Sequence, residues 1–137
     1  MRLNFKVPIY SHSISFFTSK EELKKYKKIE TDHEMVCFFS SEDANSAMLV
    51  SDLWGSYTEV SFLRCLSHEC NHAAMLILDS VGIGFDVENQ EALCYLQDFI
   101  FSEILSALWK ETRKRNPKAL IGKVSNSTTN DEGFKDE

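Results

Sequence analysis

The chain has 137 residues, of which 43% are hydrophobic and 26% are charged, as expected for one soluble globular domain. Its net charge of −6 argues against broad nucleic-acid binding, which favours a basic surface. No apolar run approaches the length of a membrane span, and the N-terminal sequence MRLNFKVPIY has no hydrophobic signal segment. Four cysteines without a Cys-x-x-Cys spacing favour reduced thiols, so we expect a cytoplasmic protein without a membrane partner.

The beginning of the chain predicts strands followed by a short helix. Residues 3–17 are rich in β-branched and aromatic side chains and predict one or two strands, with Pro8 at an edge or bend. Ser19 is followed three residues later by Glu22, a pattern that predicts a capping box at the start of a helix over residues 20–29.

Two further strands are predicted over residues 34–40 and 47–53, and the turn between them indicates an antiparallel hairpin. The second of these strands is our candidate for an exposed sheet edge, which an extended peptide could join through backbone hydrogen bonds. The alternative is that this strand lies in the interior of the sheet.

The sequence from Leu66 to Leu78, LSHECNHAAMLIL, contains the motif His-Glu-x-x-His. In a helix, His68 and His72 lie one turn apart on the same face and can bind one zinc ion. Glu69 follows the first of these ligands and is placed to accept a proton from a zinc-bound water. No proline or glycine occurs between Ser56 and Val81, which favours a helix here.

The alternative is that the motif arose by chance and that both histidines are structural. Helical periodicity argues against it, because the apolar stripe and the histidines fall on opposite sides of the helix. A core helix does not normally carry two histidines on one face without partners for them. The apolar stripe consists of Leu63, Leu66, Cys70, Ala73, Ile77 and Val81, and the opposite side carries His68, His72 and Asp79.

A second long helix is predicted from Val87 to Arg115, and Asp86 or Asn89 can cap its start. A polar stripe runs along this otherwise apolar helix and needs an explanation. The stripe consists of Glu91, Tyr95, Asp98 and Ser102, whereas Leu93, Leu96, Ile100, Ile104 and Ala107 lie on another side, toward a core.

Solvent exposure would explain the polar stripe, but we favour a stripe that faces the zinc ion. Glu91 is then the third zinc ligand, and Tyr95 donates a hydrogen bond to the substrate oxyanion. The segment Gly82–Gly84 permits a tight reversal that would bring the two helices together. Cys65, three residues before His68, is a less favoured ligand that would indicate a structural zinc site.

A His-Glu-x-x-His helix followed by a glutamate on the next helix resembles the gluzincin class of zinc metallopeptidases. His72 and Glu91 are separated by 19 positions, which fits that class. The segment from His68 to Ile100 also resembles small phage and prophage HExxH proteins, in which a Glu-Ala-x-x-Tyr-Leu helix follows. The resemblance implies a bound Zn²⁺, a peptide or protein substrate and, for a phage protein, the cytoplasm of the host.

One position departs from the gluzincin pattern. Larger gluzincins usually carry an aspartate four residues after the ligand glutamate, where it orients a histidine ligand. This sequence has Tyr95 at that position, so the orienting carboxylate would have to come from Asp98 or Asp79.

We therefore predict an α+β domain over residues 1–120, in which a small antiparallel sheet packs on two long helices, and a polar, disordered tail over residues 121–137. We predict a zinc-dependent metallopeptidase in which Glu69 is the general base. The alternatives are a zinc-containing binding protein without catalysis, such as a phage-encoded inhibitor of a host factor, a metal-free interaction module, and another zinc hydrolase, such as a cell-wall amidase.

Overall fold

The computed structural model describes residues 1–40, 42–50 and 59–115. The predicted tail and the domain boundary at residue 120 lie outside the described residues. A short 3₁₀ helix at Pro8–Tyr10 separates the first two strands, as the proline suggested. The elements are β1 (Arg2–Val7), β2 (His12–Phe17), α1 (Lys20–Lys27), β3 (Met35–Ser40), β4 (Asn45–Val50), α2 (Glu59–Ser80) and α3 (Gln90–Arg115).

The four strands form one sheet in the order β1-β2-β4-β3, and the α+β class is confirmed. The hairpins β1–β2 and β3–β4 are antiparallel, but β2 and β4 pair in parallel, so the sheet is mixed instead of entirely antiparallel. The parallel pairing is possible because α1 lies in the connection between the two hairpins, and parallel neighbours need such a long crossover.

Strand β4 lies between β2 and β3, so the candidate edge at residues 47–53 is wrong for residues 47–50, which belong to an interior strand as the alternative had it. Residues 51–53 of the predicted strand lie outside the described part of the chain. The residues from Ser46 to Val50 are all buried, which is typical of a central strand covered on both faces. Among the described strands, β1 and β3 instead form the edges of the sheet.

Alternate residues of the strands pack on opposite faces of the sheet, as the two-residue period of a strand requires. Helices α2 and α3 cover one face, where α2 contacts β3 and β4 and α3 contacts β1. Helix α1 covers the other face and contacts β2 and β4. The first core contains Ile14, Phe16, Met48, Val50, Leu66, Ile77, Ile100 and Ile104, and the second contains Phe17, Leu23, Ala47 and Leu49.

The ends of the helices follow local sequence signals. Ser19 caps α1, because its hydroxyl accepts a hydrogen bond of 3.2 Å from the backbone amide of Glu22. The carboxylate of Glu22 does not complete the predicted capping box; it lies 2.8 Å from the N-terminal ammonium of Met1. Helix α2 ends at Ser80, and the positive φ of 78° at Gly82 then allows the amide of Ile83 to donate a hydrogen bond of 2.9 Å to the carbonyl of Leu78.

Helix α3 begins three residues later than predicted, after a turn in which Asp86 accepts a 2.8 Å hydrogen bond from the amide of Asn89. Its core face is confirmed, since Leu96, Ile100 and Ile104 are buried. By length and composition alone α3 could also cross a membrane. A helix that packs a soluble core passes the same test, so the absence of a membrane partner stays a prediction.

His12 is the one buried histidine among the described residues, with 2% of its surface exposed. Its Nε2 lies 2.9 Å from the hydroxyl oxygen of Ser46, and its ring stacks on Phe39 at a centroid distance of 5.2 Å. Burial lowers the pKa of His12 below its ordinary value, because the charged imidazolium would lose its hydration. The folded state therefore favours the neutral ring.

We predict that the free energy of unfolding falls as the pH drops below the unfolded-state pKa of His12, about 6.5. In that range the unfolded chain binds a proton at His12 that the folded chain does not bind, which favours unfolding. Denaturant titrations at several pH values between 7.5 and 5 measure how steeply the free energy of unfolding changes with pH. This pH dependence should be weaker in His12→Gln than in the wild type. The exposed His33→Gln is the control, and equal slopes in all three proteins would contradict the prediction.

Candidate functional site

Helix α2 brings His68 and His72 together on its exposed side, as the motif predicted. Their Nε2 atoms lie 3.0 Å apart, and the ring centroids are separated by 4.6 Å with an interplanar angle of 84°. A distance of 3.0 Å allows a hydrogen bond in which the ring that carries the Nε2 proton donates. Because the two Nε2 atoms are this close, one cation could also bind both of them.

The orientation of the pair follows from how α2 packs on the sheet. Four residues of the predicted apolar stripe, Leu66, Cys70, Ala73 and Ile77, are fully buried. The ends of the stripe are more open, since Leu63 is 38% exposed and Val81 is 46% exposed. The side of the helix opposite to the buried stripe carries the exposed residues His68, His72 and Asp79.

Glu69 lies on the buried side of α2 although it directly follows His68. Each helical residue turns by about 100°, so one step along the helix carries the side chain from the exposed face toward the sheet. Only 3% of Glu69 is exposed, and its Oε2 atom has no hydrogen-bond partner among the described residues. A buried carboxyl group with an unpaired oxygen is costly and therefore calls for a functional explanation.

The electrostatic surroundings of Glu69 act in two directions. Burial raises the pKa of Glu69, while the neighbouring imidazoles of His72 and His68 lower it. Glu69 in turn affects two thiols, those of the half-buried Cys37 and the buried Cys70. Desolvation, with a smaller contribution from Glu69, raises the pKa of Cys37 to about 12. Burial also raises the pKa of Cys70, so both thiols are protonated at neutral pH. Glu69 is thus close to the histidine pair on one side and to apolar surroundings on the other.

The structure does not bring the predicted third ligand to the histidine pair. Glu91 lies in the first turn of α3 with an exposed side chain, and Tyr95, one turn later, is 73% exposed. Asp98 and Ser102 are exposed as well, so solvent exposure describes the whole polar stripe. Within residues 1–40, 42–50 and 59–115, no three His, Cys, Asp or Glu side chains are arranged to hold a metal ion.

A groove of about 820 Å³, lined in part by His68, runs along the N-terminal half of α2. Sequence reasoning missed its polar residues Arg64, Asn71 and Gln97, although Arg64 precedes His68 by one helical turn, a spacing that could have indicated it. Gln97 of α3 donates to the hydroxyl of Ser67 at 3.3 Å and thereby links the two helices at the groove. The remaining lining residues are Met35, Val60, Ser61, Leu63, Cys65 and Ser67.

Comparisons of the chain with protein-family models, curated proteins and solved structures found no match. The resemblance to gluzincin-like HExxH proteins is therefore neither supported nor refuted by known relatives.

We predict that Glu69→Gln stabilises the folded protein by about 1 kcal/mol at pH 7, because a neutral amide costs less to bury than a carboxylate. Glu91→Gln is the matched control, since Glu91 is exposed and its substitution should change stability by less than about 0.5 kcal/mol. Both values can be obtained from urea unfolding. A clear loss of stability in Glu69→Gln would mean that the carboxylate has a stabilising partner.

Proposed function

We propose that the chain is a zinc-dependent hydrolase, and specifically a metallopeptidase that uses the histidine pair of α2. The observation that carries this proposal is the 3.0 Å approach of His68 Nε2 and His72 Nε2 on an exposed helix face. Two imidazole nitrogens bound to one tetrahedral zinc at about 2.0–2.1 Å lie about 3.3 Å apart. A change of a few tenths of an ångström, within the reach of side-chain rotation, would therefore fit the pair to the metal.

Zinc, when bound, would polarise a water molecule and lower its pKa toward about 7. In this proposal Glu69 accepts the proton of that water and later delivers it to the leaving amine. The unpaired Oε2 of Glu69 supports this role, because its acceptor capacity is not used by another described residue. Its carboxyl group also lies close enough to both imidazoles for their charges to affect its pKa.

Glu91 remains our proposed third ligand, and Tyr95 remains the proposed donor to the oxyanion. The Glu91 assignment requires movement, since no three His, Cys, Asp or Glu side chains of the described residues are arranged to hold a metal ion. Glu91 forms no ion pair with a described residue, so no such contact has to be broken before it turns toward the histidines.

Strand β3 replaces the earlier candidate as the edge that would receive an extended substrate. It is an edge strand, α2 packs against it, and its first residue Met35 lines the same groove as His68. Strand addition would provide affinity through backbone hydrogen bonds with little dependence on sequence.

A second candidate function is a binding protein without catalysis. The exposure of Glu91 and Tyr95 favours it, because a hydrolase needs a complete ligand set and an oxyanion donor at the metal. Such a protein would keep the histidine pair and form a stable complex with a partner without cleaving it.

We predict one zinc ion per chain in protein purified without added metal, and loss of that zinc in His68→Ala, His72→Ala and Glu91→Ala. His33→Ala is the control, since His33 is exposed and lies outside the motif. Elemental analysis of the five proteins measures the stoichiometry. Zinc that survives Glu91→Ala would remove Glu91 from the ligand set, and a zinc-free wild type would exclude the whole proposal.

We further predict that Glu69→Gln keeps its zinc but loses hydrolysis of a peptide substrate by about 10²–10⁴-fold, the contribution of a general base. Hydrolysis of a mixed peptide library, followed by mass spectrometry, measures the effect. Undiminished turnover in Glu69→Gln would exclude Glu69 as the base. Zinc binding without any turnover in the wild type would instead favour the binding protein.

A further inference from the structure

We propose that Arg64 binds the free C-terminal carboxylate of the substrate, which makes the protein a peptidase for the C-terminal ends of peptides. This inference rests on the proposed hydrolase function and names the substrate class of the same site. Arg64 and His68 line one groove and lie one helical turn apart, a spacing that puts their Cβ atoms about 5–6 Å from each other.

The charge of the groove is the first reason to expect a carboxylate at Arg64. Its described lining includes Arg64 and His68 but no carboxylate, and no carboxylate among the described residues lies within 4.0 Å of the Arg64 guanidinium. Two lysines of the chain are paired, in contrast: Lys20 lies 2.6 Å from Glu34, and Lys24 lies 2.7 Å from Glu30. A guanidinium in a groove whose described residues include no acidic partner favours a planar anion such as a carboxylate, which it can bind through two hydrogen bonds.

The apolar lining is the second reason, and it distinguishes a C-terminal carboxylate from an acidic side chain. Val60 and Leu63 lie beside Arg64 in the groove and are 67% and 38% exposed. A C-terminal residue carries its carboxylate and its side chain on the same Cα atom, so it can contact the arginine and the apolar residues together. The groove thus fits a free C-terminus with an apolar last residue.

The spacing between Arg64 and the histidine pair along α2 also limits which bond of the substrate peptide would be hydrolysed. An extended peptide advances by roughly 3.3–3.6 Å per residue. With its carboxylate at Arg64, a peptide would therefore present a bond roughly one or two residues from its end to the histidine pair. The proposed reaction is hydrolysis of that bond, in which water adds to the carbonyl carbon and the amine of the released C-terminal fragment takes the proton.

The test compares two probes, acetyl-Gly-Gly-Leu with a free carboxylate and the same peptide with a C-terminal amide. Their dissociation constants are measured by calorimetry on three proteins that all carry Glu69→Gln and would therefore not hydrolyse the peptides. The first keeps Arg64, the second also carries Arg64→Gln, and the third also carries Arg64→Lys. We expect the acid to bind at least 10-fold more tightly than the amide when Arg64 is present. Arg64→Gln should abolish this preference, and Arg64→Lys should keep part of it.

Arg113→Gln in the same background is the matched control, because Arg113 is an exposed arginine of α3 outside the groove, and it should leave the preference intact. Equal affinities for the acid and the amide, or a preference that survives Arg64→Gln, would overturn the inference. Because Arg64 is exposed, we expect the unfolding midpoint to stay unchanged in its variants, which separates loss of binding from loss of folding.

Zinc analysis of the same samples separates this inference from the proposed function. An acid preference that depends on Arg64 in a zinc-free protein would support the carboxylate site and overturn the hydrolase. Zinc-dependent hydrolysis by the wild type, combined with equal affinities for acid and amide, would support the hydrolase and overturn the carboxylate site.

Discussion

The packing of α2 across β3 and β4 determines the environment of every residue in the His-Glu-x-x-His motif. Because the helix buries the stripe that contains Leu66, Cys70 and Ile77, the turn of about 100° per residue leaves His68 on the opposite, exposed side. The same turn directs Glu69 toward the sheet. The base and the ligands of the proposed site therefore differ in solvation because of one packing contact, even though they are adjacent in sequence.

The buried side chains of His12 and Glu69 differ in how they are accommodated. His12 is neutral in the folded state, lies 2.9 Å from the Ser46 hydroxyl and stacks on Phe39, so its burial is compensated. Glu69 is nearly as buried, yet its Oε2 has no described partner. A structural polar residue is normally satisfied by its surroundings, whereas functional groups often retain unused hydrogen-bonding capacity. This contrast makes Glu69 a stronger functional candidate than His12.

Features that depend on neighbours in sequence were predictable. The α2 helix, the juxtaposition of His68 and His72, the Ser19 cap and the core face of α3 all follow from spacings of three or four residues. Features that depend on distant contacts were not. The hydrophobic pattern predicted that β4 belongs to a hairpin. It did not predict the parallel pairing of β4 with β2, because that pairing depends on a crossover through α1 and not on a local sequence pattern.

The polar stripe of α3 was ambiguous for the same reason, because periodicity identifies a polar face without saying what lies opposite to it. The structure nevertheless distinguishes Glu91 and Tyr95, the two residues of that stripe to which we assigned roles, by their positions in α3. Glu91 is in the first turn, before the first buried residue of α3, Leu96, and residues 84–91 are all exposed. A local change at this helix end could move Glu91 without disturbing the core. Tyr95 directly precedes Leu96, so turning it inward would require rotation of the whole packed helix. The proposed ligand role of Glu91 is therefore physically less demanding than the proposed oxyanion role of Tyr95, and the proposal of a zinc site does not require Tyr95.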